Sequence, residues 1–369
     1  MKYYIIAGEA SGDLHASNMM KSLKKQDREA EFRFWGGDLM EEVGGTLVKH
    51  YKELSFMGFI EILMNLPTIL GNVKFCKKDI ASYQPDVLIF IDYSGFNLRI
   101  AKWAKEQGFK TNYYISPQVW ASRAKRVVDI KRDIDNMYVI LPFEKEFYKK
   151  HDFDVNFVGH PLIDAISNRK VMDEVCFRKE NKLNKKPIIA LLPGSRKQEI
   201  TKMLSVMLSL VDEYKEYQFV IAGAPSQEFE FYNTFIYTNN VSFVANKTYD
   251  LLSIAKVAIV ASGTATLETA LFKIPQIVCY KSSSISYQIA KKIITLKYIS
   301  LVNLIMDREV VKELIQNDFN KINLKIELNK ILEVDFRNEI LKNYAVLEEK
   351  LGGSGASEKV AYLLYNANK

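Results

Sequence analysis

Residues 87–97 read Val-Leu-Ile-Phe-Ile-Asp-Tyr-Ser-Gly-Phe-Asn. Five large apolar residues in succession, with no polar alternation, describe a strand buried on both faces, and such strands belong in parallel sheets covered by helices. Asp92 stands at its exit. The same grammar holds upstream, where the apolar run 3–6 leads into Gly8-Glu9-Ala10-Ser11-Gly12-Asp13 and a helix start. Working outward, short apolar runs at 31–35, 111–115, 137–141 and 156–158 alternate with longer amphipathic segments, and the series restarts at 187–192, 218–222, 257–260 and 276–280. Alternation of this kind predicts α/β architecture: two Rossmann-like, doubly wound domains. The charged stretch 168–186 divides them into residues 1–168 and 169–345. From residue 307 onward the chain reads as helices, and 346–369 is a C-terminal helix that either packs back on the first domain or exchanges with a partner subunit. Ligands of open α/β sheets bind at the carboxyl ends of the strands, so two such domains are expected to face one cleft.

The 369 residues carry 51 Lys+Arg against 44 Asp+Glu, a formal net charge of +7, and 48% are hydrophobic and 26% charged. That composition excludes disordered and fibrous classes. The longest nearly apolar stretch, 57–70, is interrupted by Glu61, Asn65 and Pro67, short of the ~20 residues a spanning helix needs. The first apolar run is too short for a signal-peptide core, so a cytoplasmic location is expected. Cys76, Cys176 and Cys279 have no metal-ligand spacing, and with four histidines they form neither a disulfide framework nor a zinc site. No metal, cofactor or nucleic-acid partner is expected.

The strand-end loops carry the chemistry. Gly8 to Asp13 fits neither the dinucleotide nor the P-loop spacing; it is either a tight turn capped by Ser11 or Asp13 or a ligand-facing loop, with Glu9 at the strand end. Asp92 is either a general base for a bound hydroxyl or, with Ser94, a helix cap. Ser116 to Trp120 leads into Arg123, Lys125 and Arg126, a solvated face or an anion contact. In the second half, backbone N–H groups at Gly194, Ser195 and Arg196 can hold a phosphate. Ser262, Gly263 and Thr264 open a helix in which Glu268 can accept from two ribose hydroxyls. Together these loops sketch a nucleoside diphosphate site.

In this order the loops closely resemble the lipid-A-disaccharide synthase family (glycosyltransferase family 19). The carriers run from Ala7-Gly-Glu-Ala-Ser-Gly-Asp13 through Asp92, Phe96-Asn97, Tyr114-Ile-Ser-Pro117, Leu141-Pro-Phe-Glu144, Val158-Gly-His160, Leu191-Leu-Pro-Gly-Ser-Arg196, Ala261-Ser-Gly-Thr-Ala265 with Leu267-Glu268, and Asn303-Leu304. The resemblance implies a GT-B fold and inverting transfer of 2,3-diacylglucosamine from its UDP derivative to the 6-hydroxyl of 2,3-diacylglucosamine 1-phosphate (lipid X). The product is a β-1,6-linked disaccharide, with UDP released, in lipid A and lipopolysaccharide biosynthesis. It implies Asp92 as general base, with Glu9 second as base or sugar ligand, and Ser11 and Asn97 in the acceptor loop. Gly194, Ser195, Arg196, Ser262, Gly263, Thr264 and Asn303 are implied at UDP or the developing charge, and Glu268 at the ribose. The family commonly reads I-D-x-P-D-F-N where this chain has Ser94-Gly95, which leaves Asp92 the only carboxylate in its loop.

The segment 56–70 has too many large apolar residues for one helix stripe. It is either a core helix or, as the acylated substrates favour, a protrusion into the bilayer interface, with Phe56, Met57, Phe59, Ile60, Leu63 and Leu66 at the acyl chains and Lys74, Lys77 and Lys78 near anionic headgroups of the inner membrane's cytoplasmic leaflet. A homodimer is one arrangement open to the chain. The competing readings are another UDP-sugar enzyme of the same fold, such as a UDP-N-acetylglucosamine 2-epimerase or a soluble glycosyltransferase, neither of which explains 56–70. Asp133-Ile-Asp135 and Asp152-Phe-Asp154 spell the metal-binding pair of other glycosyltransferases, but they flank strands in the domain that does not hold UDP. Transfer is therefore expected in chelator without added metal; complete loss restored by Mg²⁺ contradicts this reading.

Overall fold

The computed structural model describes residues 1–54, 66–122, 124–224, 227–283, 287–288 and 296–369. Among these, one sheet holds β1 (Lys2–Ala7), β2 (Glu31–Gly36), β3 (Thr46–His50), β4 (Val87–Ile91), β5 (Thr111–Tyr114), β6 (Asn136–Val139) and β7 (Asn156–Phe157), in the order β3-β2-β1-β4-β5-β6-β7. The other holds β8 (Ile188–Leu192), β9 (Gln218–Gly223), β10 (Val241–Ala245), β11 (Ala255–Ala261), β12 (Gln276–Tyr280) and β13 (Glu313–Ile315), in the order β10-β9-β8-β11-β12-β13. Every pairing is parallel. The strand order reverses between β1 and β4 in the first sheet and between β8 and β11 in the second. At such a switch point the helices leave on opposite faces and open a crevice at the strands' carboxyl ends.

Both faces of the first sheet are buried. Tyr4, Ile6, Leu88 and Phe90 pack into one apolar cluster, while their neighbours Tyr3, Ile5, Val87, Ile89 and Ile91 pack into another. Side chains alternate across a strand, so a run without polar residues is what a doubly covered strand requires. β3, β10 and β13 were not anticipated, and each lies at a sheet edge, where a strand has one neighbour and needs less apolar sequence. β13 corrects the all-helical reading beyond residue 307: it pairs with β12 from Val278↔Glu313 to Tyr280↔Ile315.

The chain forms two compact units, Met1–Ser167 with Leu351–Lys369, and Asn168–Lys350. The last helix, Ala356–Asn368, lies on the first helix of its own chain, Ala10–Gln26. Val360, Ala361 and Leu364 join Ala16, Met19, Met20 and Leu23 in one core. Its N-terminus is held by the buried Asp164 carboxylate, which accepts from Gly355 N at 2.7 Å and Ser357 N at 2.8 Å. Those two N–H groups have no intrahelical acceptor. Asp164→Ala is expected to destabilise the first unit by about 2 kcal/mol and to speed hydrogen exchange in 356–368; unchanged protection would leave apolar packing as the sole clasp.

Candidate active site

At the β1/β4 switch point two loops meet. Gly8 follows β1, and a Cβ there would sit 2.3 Å from the Tyr93 ring, so only glycine lets the aromatic side chain of the neighbouring loop lie across it. Asp92 and Tyr93 follow β4 with φ of 44° and 45°, a left-handed turn that costs non-glycine residues about 1 kcal/mol each. Surrounding bonds over-determine it. Asn97, wholly buried, donates from Nδ2 to the carbonyls of Ile6 (3.3 Å), Ile91 (3.2 Å) and Asp92 (2.9 Å). The Tyr113 hydroxyl donates to the same Asp92 carbonyl, and Asp92 N donates to Tyr114 O at 3.1 Å.

These bonds fix the backbone without drawing on the Asp92 carboxyl, which accepts from the Tyr93 N–H. The helix Ser94–Glu106 has Tyr93 as its N-cap and no side-chain cap, so neither Asp92 nor Ser94 serves as one. The Asp92 carboxyl is half-buried and pushed up to about 6, first by burial and then by the negative charge of Glu9, against the Tyr93 N–H that favours its charged form. Glu9 is exposed and Ser11 is exposed in the helix's first turn. Asp13 does not cap its own helix: its buried carboxylate accepts from Gly37 N (2.8 Å), Leu39 N (3.1 Å) and Met40 N (3.1 Å), capping Asp38–Val43 instead. Asn97, expected in the acceptor loop, is enclosed, with its Nδ2 on strand carbonyls.

At the β8/β11 switch point, Gly194 has φ +103°, and a Cβ on it would lie 3.2 Å from Glu199 Oε2 and 3.6 Å from Ala261 Cβ. The two strand-end loops therefore touch. Ser195 and Arg196 are exposed, and Arg196 donates to Glu199 at 3.0 Å. Gly263 and Thr264 are exposed at the start of the helix Thr264–Leu271, which has no side-chain cap, so its first N–H groups face outward. Ser262 donates its hydroxyl to Ile299 O at 2.8 Å. Glu268 is half-buried, its carboxyl raised by burial while a 2.9 Å bond from the Tyr249 hydroxyl opposes the rise.

Asn303, expected at UDP, faces the protein interior. It is fully buried; Nδ2 donates to Val311 O (2.8 Å) and Glu313 Oε1 (2.9 Å), and Oδ1 accepts from Val310 N (2.7 Å) and Val311 N (3.0 Å). Glu313 in turn accepts from Ile299 N and Ser300 N at 3.0 and 2.9 Å. The pair therefore fixes the loop to which Ser262 is tied. Sequence reasoning missed Tyr113, Tyr249 and Glu313, because the partner that gives each its role is far along the chain.

Phe56, Met57, Phe59, Ile60, Leu63 and Arg123 lie outside the described residues, as does the side chain of Leu66. On the helix Leu66–Tyr83, Leu70 and Phe75 are exposed. Asp133 is paired with Arg132, and Asp135 accepts from Thr111 and Lys105, which occupies both with structural bonds. Asp152 and Asp154 are exposed. Among the described residues no group of three His, Cys, Asp or Glu side chains is placed to hold a metal ion, and no helix is long and apolar enough to cross a membrane.

One unit thus places the Asp92 carboxyl at a strand exit, and the other an exposed helix start with the Glu268 carboxyl on the same helix. A family sequence model described as lipid-A-disaccharide synthetase matches residues 3–364. The lipid-A-disaccharide synthase of Syntrophus aciditrophicus is 38% identical over 367 residues, covering 97% of this chain and 96% of that one. The Geobacter sulfurreducens protein of the same name is 35% identical over 364 residues, with 97% and 94% covered. Among solved structures, UDP-GlcNAc 2-epimerase from Neisseria meningitidis bound to UDP-GlcNAc aligns with TM-score 0.70 at 13% identity, over 99% of this chain and 100% of that one. The glycotransferase of kitacinnamycin gives 0.67 at 11%, over 99% and 98%. At such identities the likeness is one of fold, that of two-domain GT-B enzymes.

Carboxyl-detected NMR titration checks the electrostatics. Asp92 should titrate near 6, and Glu9→Gln should lower that value by removing the like charge while burial keeps it above the ordinary 3.8.

Proposed function

The chain belongs to the lipid-A-disaccharide synthase family, and from that premise we propose that it joins UDP-2,3-diacylglucosamine to 2,3-diacylglucosamine 1-phosphate, with Asp92 as the general base. The observation that carries this role is the half-buried Asp92 carboxyl beside Glu9 at the β1/β4 switch point. A base whose affinity for protons lies just below neutrality is mostly ionised at working pH yet still accepts a proton from an attacking hydroxyl. The acceptor 6-oxygen forms its bond to C1 of the donor sugar as its proton passes to Asp92. The bond from C1 to the diphosphate oxygen breaks on the opposite face, and UDP leaves with the electron pair, so the α-linked donor gives a β-linked product. Glu9, exposed at the neighbouring strand exit, holds acceptor hydroxyls and keeps the Asp92 proton affinity high.

On the donor side, Arg196 and the outward N–H groups at Gly263 and Thr264 meet the negative charge that grows on the diphosphate. Ser195 and Gly194 shape the same loop, and Glu268 accepts from the ribose hydroxyls. Asn303 and Asn97 act through the backbone they hold. Exposed Leu70 and Phe75 beside exposed Lys74 and Lys78 support a peripheral contact with an anionic cytoplasmic leaflet, continuous in sequence with the apolar 56–66 segment.

The test incubates the protein with both acylated substrates. Equal amounts of UDP and disaccharide are expected, and Asp92→Asn should lower kcat at least about a hundredfold with little effect on UDP affinity. Free UDP without disaccharide would overturn the reading in favour of hydrolysis.

A further inference from the structure

We propose that Tyr249 is a positioning residue of the donor site: its hydroxyl orients the Glu268 carboxylate for the vicinal hydroxyls of the UDP ribose. The inference rests on the reading of Glu268 given above and extends it to a residue outside every strand-end motif.

The geometry starts from two neighbouring helices, Thr248–Ile254 and Thr264–Leu271. Tyr249 on the first donates to Glu268 Oε1 on the second at 2.9 Å. The bond engages Oε1 and so restricts rotation of the carboxylate. Phe272 backs the arrangement. Its ring lies 5.2 Å from the Tyr249 ring, and the Arg169 guanidinium sits 4.5 Å over it. The phenol is therefore packed in place and cannot swing away to water without losing that contact.

The charges around the pair are few. Arg169 faces Tyr249 and draws its hydroxyl towards ionisation, but burial and the Glu268 charge hold the phenol far above its ordinary range, so it stays a donor at any working pH. Lys247 beside it is paired with Glu180 at 2.9 Å, and Lys273, following Phe272, is bonded to Glu348. Asp250 is the other acidic group on the Tyr249 helix. Burial raises the Glu268 carboxyl, and the Tyr249 bond is what opposes it. A diol donates two hydrogen bonds, and the ionised carboxylate accepts them more strongly than the protonated form, one of whose oxygens has become a donor; removing the phenol oxygen both loosens the carboxylate and favours the protonated form.

The experiment compares UDP with 2′,3′-dideoxy-UDP by calorimetry across pH in the parent, Tyr249→Phe, Glu268→Gln and Glu268→Ala proteins. In the parent, UDP should bind more tightly than the dideoxy analogue, and the difference should shrink as pH falls through the Glu268 titration. Tyr249→Phe should weaken UDP about tenfold near neutrality, leave the dideoxy analogue unchanged, and move the acid loss to higher pH; Glu268→Gln should abolish that acid loss. If Tyr249→Phe keeps the parent's discrimination and pH profile while Glu268→Ala loses them, the inference fails and the ribose role of Glu268 stands. Equal weakening of both ligands with a lowered thermal midpoint also overturns it, since that marks a packing role. If Glu268→Ala itself leaves the discrimination intact, the ribose role fails and the inference falls with it.

Discussion

The Nδ2 group of Asn97 reaches three carbonyl oxygens at once, those of Ile6, Ile91 and Asp92. These belong to the ends of two adjacent parallel strands. Parallel pairing stops there because the chains diverge to opposite faces of the sheet, and carbonyls at the strand ends need donors in a place closed to water. The buried amide, joined at Asp92 by the Tyr113 hydroxyl, supplies them and so fixes the angle at which β4 gives way to its helix. The left-handed turn at Asp92 and Tyr93, the packing of Tyr93 over Gly8, and the distance between Glu9 and Asp92 all follow from that geometry.

The second unit solves a related problem with different parts. Asn303 spends its amide on Val310, Val311 and Glu313, and Glu313 holds the N–H groups of Ile299 and Ser300. Ser262, at the β11 exit, bonds to the carbonyl of that same residue 299. In both units a wholly buried asparagine ties down a loop that lies at a strand exit or is bonded to one. Rigidity of this kind matters for transfer chemistry, because charge stabilisation works through groups already in place before the charge appears.

The apolar character of β1, β4, β8, β9 and β11 made the parallel sheets legible, since a strand covered on both faces has no room for polar alternation. β3, β10 and β13 escaped because an edge strand is specified by the neighbour it meets more than by its own composition. The strand exits were legible for a similar reason: polar and small residues directly after an apolar run, at Glu9, Asp92, Arg196 and Gly263, have no structural use in a core. Asn97 and Asn303 were less legible. An asparagine in a loop motif reads as a ligand contact, and its own segment does not reveal that folding turns its amide inward onto carbonyls mostly within eight residues of it.

By itself, then, the sequence determined the two-domain α/β class, the loops that carry the chemistry and the family, because each depends on short-range patterns of apolar runs, turns and motif order. Tertiary structure decided which polar residues in those loops are spent and which remain. Burial and the neighbouring charge of Glu9 set the proton affinity of Asp92, the capping of a second helix consumes Asp13, and Tyr249 comes to Glu268 only because two helices lie side by side. Hydrogen-bond satisfaction and desolvation are properties of an enclosed volume, and that volume exists only once distant segments have closed around it.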